Sequence, residues 1–134
     1  DSFKQELFTA THNFSVSAGN TFKLALYTTV TGFSTGTTNY IVTNETSGTG
    51  YSASGTTLTN ALVTVAQNIS FIDFSDATFS SATISASCAL VYNTTQSSKA
   101  VVVLDFGGTK TSTNGDFTIQ FPTPNSTSAV LRIS

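Results

Sequence analysis

Past its first eight residues no long stretch of the chain carries apolar residues at helical spacing. From Thr21 onward it alternates instead, in short runs of Thr, Val, Ile, Phe and Tyr separated by Gly, Asn and Pro. β-Branched and aromatic residues fit a pleated surface, and period-two alternation marks strands with two unlike faces. Strands that succeed one another without intervening helices must bury their apolar faces against a second sheet, as a sandwich or a barrel. At 134 residues the chain has the length of one domain. Such a chain buries roughly two-thirds of its unfolded surface and needs no disulfide or metal to hold a core.

Eight segments read as strands: Thr21–Thr28, Asn39–Thr43, Thr56–Ala66, Ile69–Phe74, Ala82–Tyr92, Ala100–Phe106, Asp116–Phe121 and Ala129–Ile133. In the first, Phe22, Leu24 and Leu26 share one face and Lys23, Ala25 and Tyr27 the other. Ile69–Phe74 carries large residues on both faces, as a central strand does. In Ala82–Tyr92 the alternation sets Ile84, Ala86, Cys88 and Leu90 together. Gly48, Gly50 and Gly55 mark a loop that needs positive φ. Gly107–Gly108 ends a strand, Asn114–Gly115 reads as a turn, and Pro122 and Pro124 stop the seventh strand. The expected fold is all-β: one jelly-roll-like β-sandwich of about eight antiparallel strands, with an immunoglobulin-like sandwich as nearest alternative. Residues 1–134 form a single domain, with 1–14 as an N-terminal arm and 19–134 as the sandwich. Within the arm Phe3, Leu7 and Phe8 fall at i, i+4 and i+5. Ser2–Phe8 is therefore a short helical turn, or an arm that needs a neighbour to cover it.

Composition narrows the function. Charged residues make up 9% of the chain, against about 25% in ordinary soluble domains. The deficit is filled by 26 Thr and 19 Ser. Four Lys and one Arg within a net charge of −2 cannot neutralise a run of phosphates, so nucleic acid is not an expected partner. No apolar run approaches the ~18 residues of a membrane span, and no basic amphipathic helix offers surface anchoring. A single Cys rules out an intrachain disulfide and any Cys-based zinc site, and leaves the redox compartment open. The first residues lack the charged start and apolar core of a signal peptide. Asn13, Asn44, Asn68, Asn93 and Asn125 carry the N-x-S/T pattern, which a third of the chain being Ser or Thr largely accounts for.

Residues for chemistry are scarce. His12 is the sole imidazole and sits at the edge of the arm, while Cys88 lies inside an apolar strand, where a thiol is a small buried hydrophobe. No G-x-S-x-G elbow occurs, and SGTGYSASG is not followed by the Lys and helix of a phosphate-binding loop. Asp73, Asp76 and Asp105 stand in apolar surroundings. They read as acceptors for backbone N–H groups at strand ends; a calcium site on the D-x-x-D of Asp73 and Asp76 is the weaker reading. The expectation is a non-enzyme with no catalytic residues, no cofactor and no metal. A β domain with few charges courts association through its edges and flat faces, with copies of itself or a larger assembly.

Four segments, in chain order, resemble small structural proteins of tailed bacteriophage virions: GNTFKLALYTT (Gly19–Thr29), ETSGTGYSASGTTLTN (Glu45–Asn60), DFSDATFSSATISASCALVYN (Asp73–Asn93) and KAVVVLDFGGTKTSTNGDFTIQFP (Lys99–Pro122). Phe79 departs from that pattern, where relatives are expected to carry Trp. The resemblance implies a capsid decoration, or cement, protein on the outer capsid surface of the virion. Its implied partners are the major capsid protein and copies of itself, as a homo-oligomer. Capsid rather than tail rests on analogy of size and fold. Phe3, Leu7 and Phe8 are the candidate partner-binding residues, unless the arm packs back on its own sandwich. The loops Thr35–Thr38 and Thr109–Asn114 would face solvent or a partner. The alternative is a tail-associated structural module, or one that binds a receptor or carbohydrate through Tyr40, Tyr51, Tyr92 and Asp76.

Overall fold

A computed structural model describes residues 1–59 and 61–134. Among the described residues one helix, α1 (Ser2–Phe8), precedes seven strands: β1 (Phe22–Tyr27), β2 (Thr56–Thr57), β3 (Leu62–Ala66), β4 (Ile69–Asp73), β5 (Ala77–Asn93), β6 (Lys99–Ile119) and β7 (Leu131–Ile133). They form two antiparallel sheets, one of order β2-β1-β5-β6 and one of order β3-β4-β7. The fold is all-β and small, as expected. The strands described number seven rather than the eight of a jelly roll, in a four-plus-three sandwich-like arrangement.

The main core lies on one face of the larger sheet. Phe22, Leu24 and Leu26 of β1 meet Ala82, Ile84, Ala89 and Val91 of β5 there, and Ile72 and Leu131 of the smaller sheet pack against the cluster. A second cluster covers the opposite face, where Phe33, Tyr40 and Ile41 lie over Ala25, Tyr27, Cys88, Leu90 and Tyr92. β1 is thus buried on both sides, with the two faces that its alternation sets out. In β5 the strict alternation fails. The ladder is broken between Ala86 and Cys88, where β5 advances two residues while β6 advances five, from Lys110 to Asp105; Ala86 faces the main core, and Cys88 and Leu90 the second. An irregular step in a ladder can turn every later side chain to the other face.

Three other expectations need correction. Asn39–Thr43 is a loop, joined to β6 by a single bridge at Asn39–Lys99, and its Tyr40 and Ile41 serve as a plug over the second cluster. Thr56–Ala66 is two strands in different sheets: β2 pairs with β1, and β3 pairs with β4. Ala100–Phe106 and Asp116–Phe121 are parts of one long strand of 21 residues. Gly107 and Gly108, at φ +68° and +145°, and Asn114, at φ +48°, are irregularities inside that strand rather than its ends. An edge strand tolerates them, since one of its two sides has no ladder to break. Gly55, at φ +70°, does lie in a loop as expected, and a Cβ there would collide with the Leu24 carbonyl.

Candidate functional site

The expected partner-binding residues lie on α1, and what α1 touches decides which of them is free. The helix is seven residues long and has no side-chain cap at its start, too short to persist without tertiary contacts. Phe3 and Leu7 supply those contacts by packing against the main core, with the Phe3 ring 5.1 Å from His12 and 6.4 Å from Phe14. Phe8 points away and is 93% exposed. The arm is therefore clipped to its own sandwich, and only Phe8 of the three presents itself to a neighbour while α1 stays in place.

A polar network that the sequence reading misses completes the clip. Glu6, on the buried side of α1, accepts from Lys99 Nζ at 2.6 Å through Oε1 and bonds His12 Nε2 at 2.8 Å through Oε2. Asn93, fully buried at the end of β5, donates through Nδ2 to His12 Nδ1 at 3.0 Å and to Asn20 Oδ1 at 2.8 Å. An amide nitrogen with two hydrogens makes His12 Nδ1 the acceptor, so Nε2 carries the proton that points at Glu6. Burial by itself would raise the Glu6 carboxyl. The hydrogen bonds from Lys99 and His12, with the Lys99 charge, outweigh burial and hold it below the ordinary 4.5. Both imidazole nitrogens are engaged inside the protein, and the ring ties α1 to the end of β5. Glu6, His12, Asn93 and Lys99 are far apart in the chain, and a lone Glu beside two Phe carries no signal of such a role.

A second network holds the 40–54 loop. Glu45 accepts from Tyr40 Oη and Tyr51 Oη, each at 2.6 Å, and from Ser54 N at 2.7 Å. Tyr92 donates to the Ser54 carbonyl and stacks on Tyr40 with ring centroids 4.9 Å apart. Burial first, and then Glu45, raise the Tyr40 and Tyr51 hydroxyls above the ordinary tyrosine range. The three tyrosines considered for sugar binding do come together, but with their hydroxyls turned into the protein. Asp76 is engaged elsewhere, where its Oδ1 accepts from Phe121 N.

The remaining candidates fall into place separately. Asp105 accepts from Gly107 N, in keeping with an aspartate that caps a backbone N–H. Asp73 is different: it is buried at the end of β4, and its Oδ1 has no hydrogen-bond partner among the described residues. Burial, with a smaller push from Asp76, raises its carboxyl above the ordinary value despite a bond from Phe74 N–H. Among the described residues no three His, Cys, Asp or Glu side chains gather closely enough to hold a metal ion. Cys88 is buried, and desolvation followed by the Asp105 charge pushes its thiol up to about 11. Thr109–Asn114, expected as a loop, lies instead within β6, where Thr111 and Thr109 bond Ser85 and Ser87 at 2.9 Å. The 35–38 loop accepts the Asp1 amine at the Thr35 carbonyl. Compared with protein-family models, curated proteins and solved structures, the chain finds no match.

Proposed function

We propose that this chain is a non-enzymatic structural protein of a tailed-phage virion, acting as a capsid decoration protein that bridges shell subunits. The observation that carries the reading is the surface: sparsely charged, hydroxyl-rich strands with large apolar side chains left in water, Phe8 at the tip of α1 foremost among them. Monomeric soluble proteins seldom leave such residues unpartnered in groups, and decoration proteins cover them by docking on a shell. The four segments that resemble virion proteins span both the core strands β1, β5 and β6 and the Glu45 loop. In this reading Phe8 reaches the shell, while Phe3 and Leu7 fix the helix from which it projects. Binding to the mature shell in preference to its precursor would stabilise the particle by mass action.

A tail location is the second reading within the same class. The carbohydrate-binding variant is less favoured, because Tyr92 is buried and the hydroxyls of Tyr40 and Tyr51 are spent on Glu45. Quantitative mass spectrometry of purified virions tests the choice. Copies in the hundreds, in fixed ratio to the major shell protein, support decoration. A few copies per particle move the protein to the tail, and absence from particles sinks both.

A further inference from the structure

Two sheets have four outer edges, and three of them are guarded. β2 is only two residues long, and very short edge strands offer little to pair with. β7 has three residues and an Arg at its middle, whose Nη1 donates to the Ser126 carbonyl. β6 is long but guarded at its start and through its middle. The 38–40 loop bonds its start through Tyr40 N to Ser98 O and Ala100 N to Thr38 O. Asp105, Lys110 and Asp116 then follow, with positive-φ irregularities at Gly107, Gly108 and Asn114. Charges, bulges and covering loops are the means by which proteins keep strand edges from pairing. β3 shows none of them among the described residues. It runs Leu-Val-Thr-Val-Ala without charge, proline or bulge, in unbroken register with β4 on its inner side. Among the described residues no backbone hydrogen bond outside that ladder involves 62–66. Val63 and Val65 project from it at 54% and 65% exposure.

The sequence of this edge also points to its occupant. In an antiparallel pair, residues directly opposite lie on the same face, and a two-fold axis normal to the sheet lies midway between a residue and its own copy where the two are paired. Centred on Thr64, the middle of β3 is palindromic: Val63 of one copy falls opposite Val65 of the other, and the reverse. Residues 61–72 contain no charged side chain, so the approach brings no like charges together. We infer that β3 pairs antiparallel with β3 of a second copy about a two-fold axis at Thr64. The two three-stranded sheets then join into one of six, in the order β7-β4-β3-β3-β4-β7. Four exposed valines become two cross-strand pairs, next to the groove of about 630 Å³ that Val16, Leu62, Val63 and Ile72 line. The pairing does not depend on the virion reading: a dimer in solution would stand even if the protein were absent from particles.

Analytical ultracentrifugation of the full chain, from micromolar to millimolar, tests it with two variants. Val65→Lys places a cation against Val63 of the other copy at both symmetry-related positions, and should weaken dimerisation about tenfold or more. In the double variant V63E/V65K, the new carboxylate of each copy faces the new ammonium of the other in this register alone, which should recover most of the affinity. Both positions are exposed, so the thermal midpoint of the monomer should barely move. A wild type that stays monomeric at millimolar concentration overturns the inference. So does a dimer indifferent to Val65→Lys, or a double variant no better than the single one.

Discussion

Two buried carboxylates, Glu6 and Asp73, have opposite effects on stability. Glu6 titrates below 4.5 in the folded chain, so the stability it adds is complete above 4.5 and drains away as pH falls through its lower folded value. Glu6→Gln leaves one acceptor for two donors and is expected to cost about 1–3 kcal/mol at pH 7. Urea denaturation of both proteins across the acid range checks this, because the deficit should shrink once the wild-type carboxylate is protonated. Asp73 titrates above its ordinary 3.8. Its contribution is favourable below 3.8 and is lost as pH rises through the raised folded value, since the ionised form is buried with one oxygen unpaired. Asp73→Asn removes that charge and is expected to gain on the order of 1 kcal/mol at pH 7. An asparagine variant less stable than wild type at pH 7, in the same urea titration, would refute the account of Asp73 as a strained carboxylate.

Among the elements, α1 is a short helix whose stability is borrowed. Phe3→Ala strips its packing on His12 and Phe14 and should cost about 1–3 kcal/mol, below the 3–5 of a fully buried Phe because the ring is only partly covered. Phe8 stands in solvent, and Phe8→Ala should stay within about 0.5 kcal/mol. Thermal melts of the two separate an internal clip from an outward contact, and equal losses would mean that Phe8 packs inward after all. The elements also show where local sequence stops informing. β1 and β4 are legible because each carries its apolar residues in a short run with neighbours on both sides. β6 reads as two strands because Gly107–Gly108 and Asn114–Gly115 are turn signals, yet at the edge of the sheet the strand carries positive φ at Gly107, Gly108 and Asn114 and continues. Asn39–Thr43 has strand composition, yet Tyr40 and Ile41 are apolar because they plug the outer face of β1 and β5. The Glu6–His12–Asn93–Lys99 and Glu45–tyrosine networks join residues by topology, and no spacing along the chain announces them.

Across the molecule, the two sheets are unequally secured. β1 and β5 are insulated on both faces and tied by a ladder from Phe22–Asn93 to Tyr27–Cys88. The smaller sheet rests on registers of five and three residue pairs, with Ile72 and Leu131 reaching the core and Val63 and Val65 in water. Local opening follows buried apolar contact and ladder length, so backbone amides should not exchange with solvent uniformly. In amide hydrogen exchange, residues 24–26 and 88–92 are expected to be slowest, approaching the limit of global unfolding. Residues 62–66 and 131–133 should exchange orders of magnitude faster in dilute protein. If β3 pairs with its copy, the outward amides of 62–66 gain partners as concentration rises, while those of 131–133 remain at a free edge. Protection that climbs with concentration at β3 and not at β7 would locate the contact on that edge. Equal and concentration-independent exchange in both sheets would mean that the smaller sheet is as firmly held as the larger, with its valines exposed to no partner.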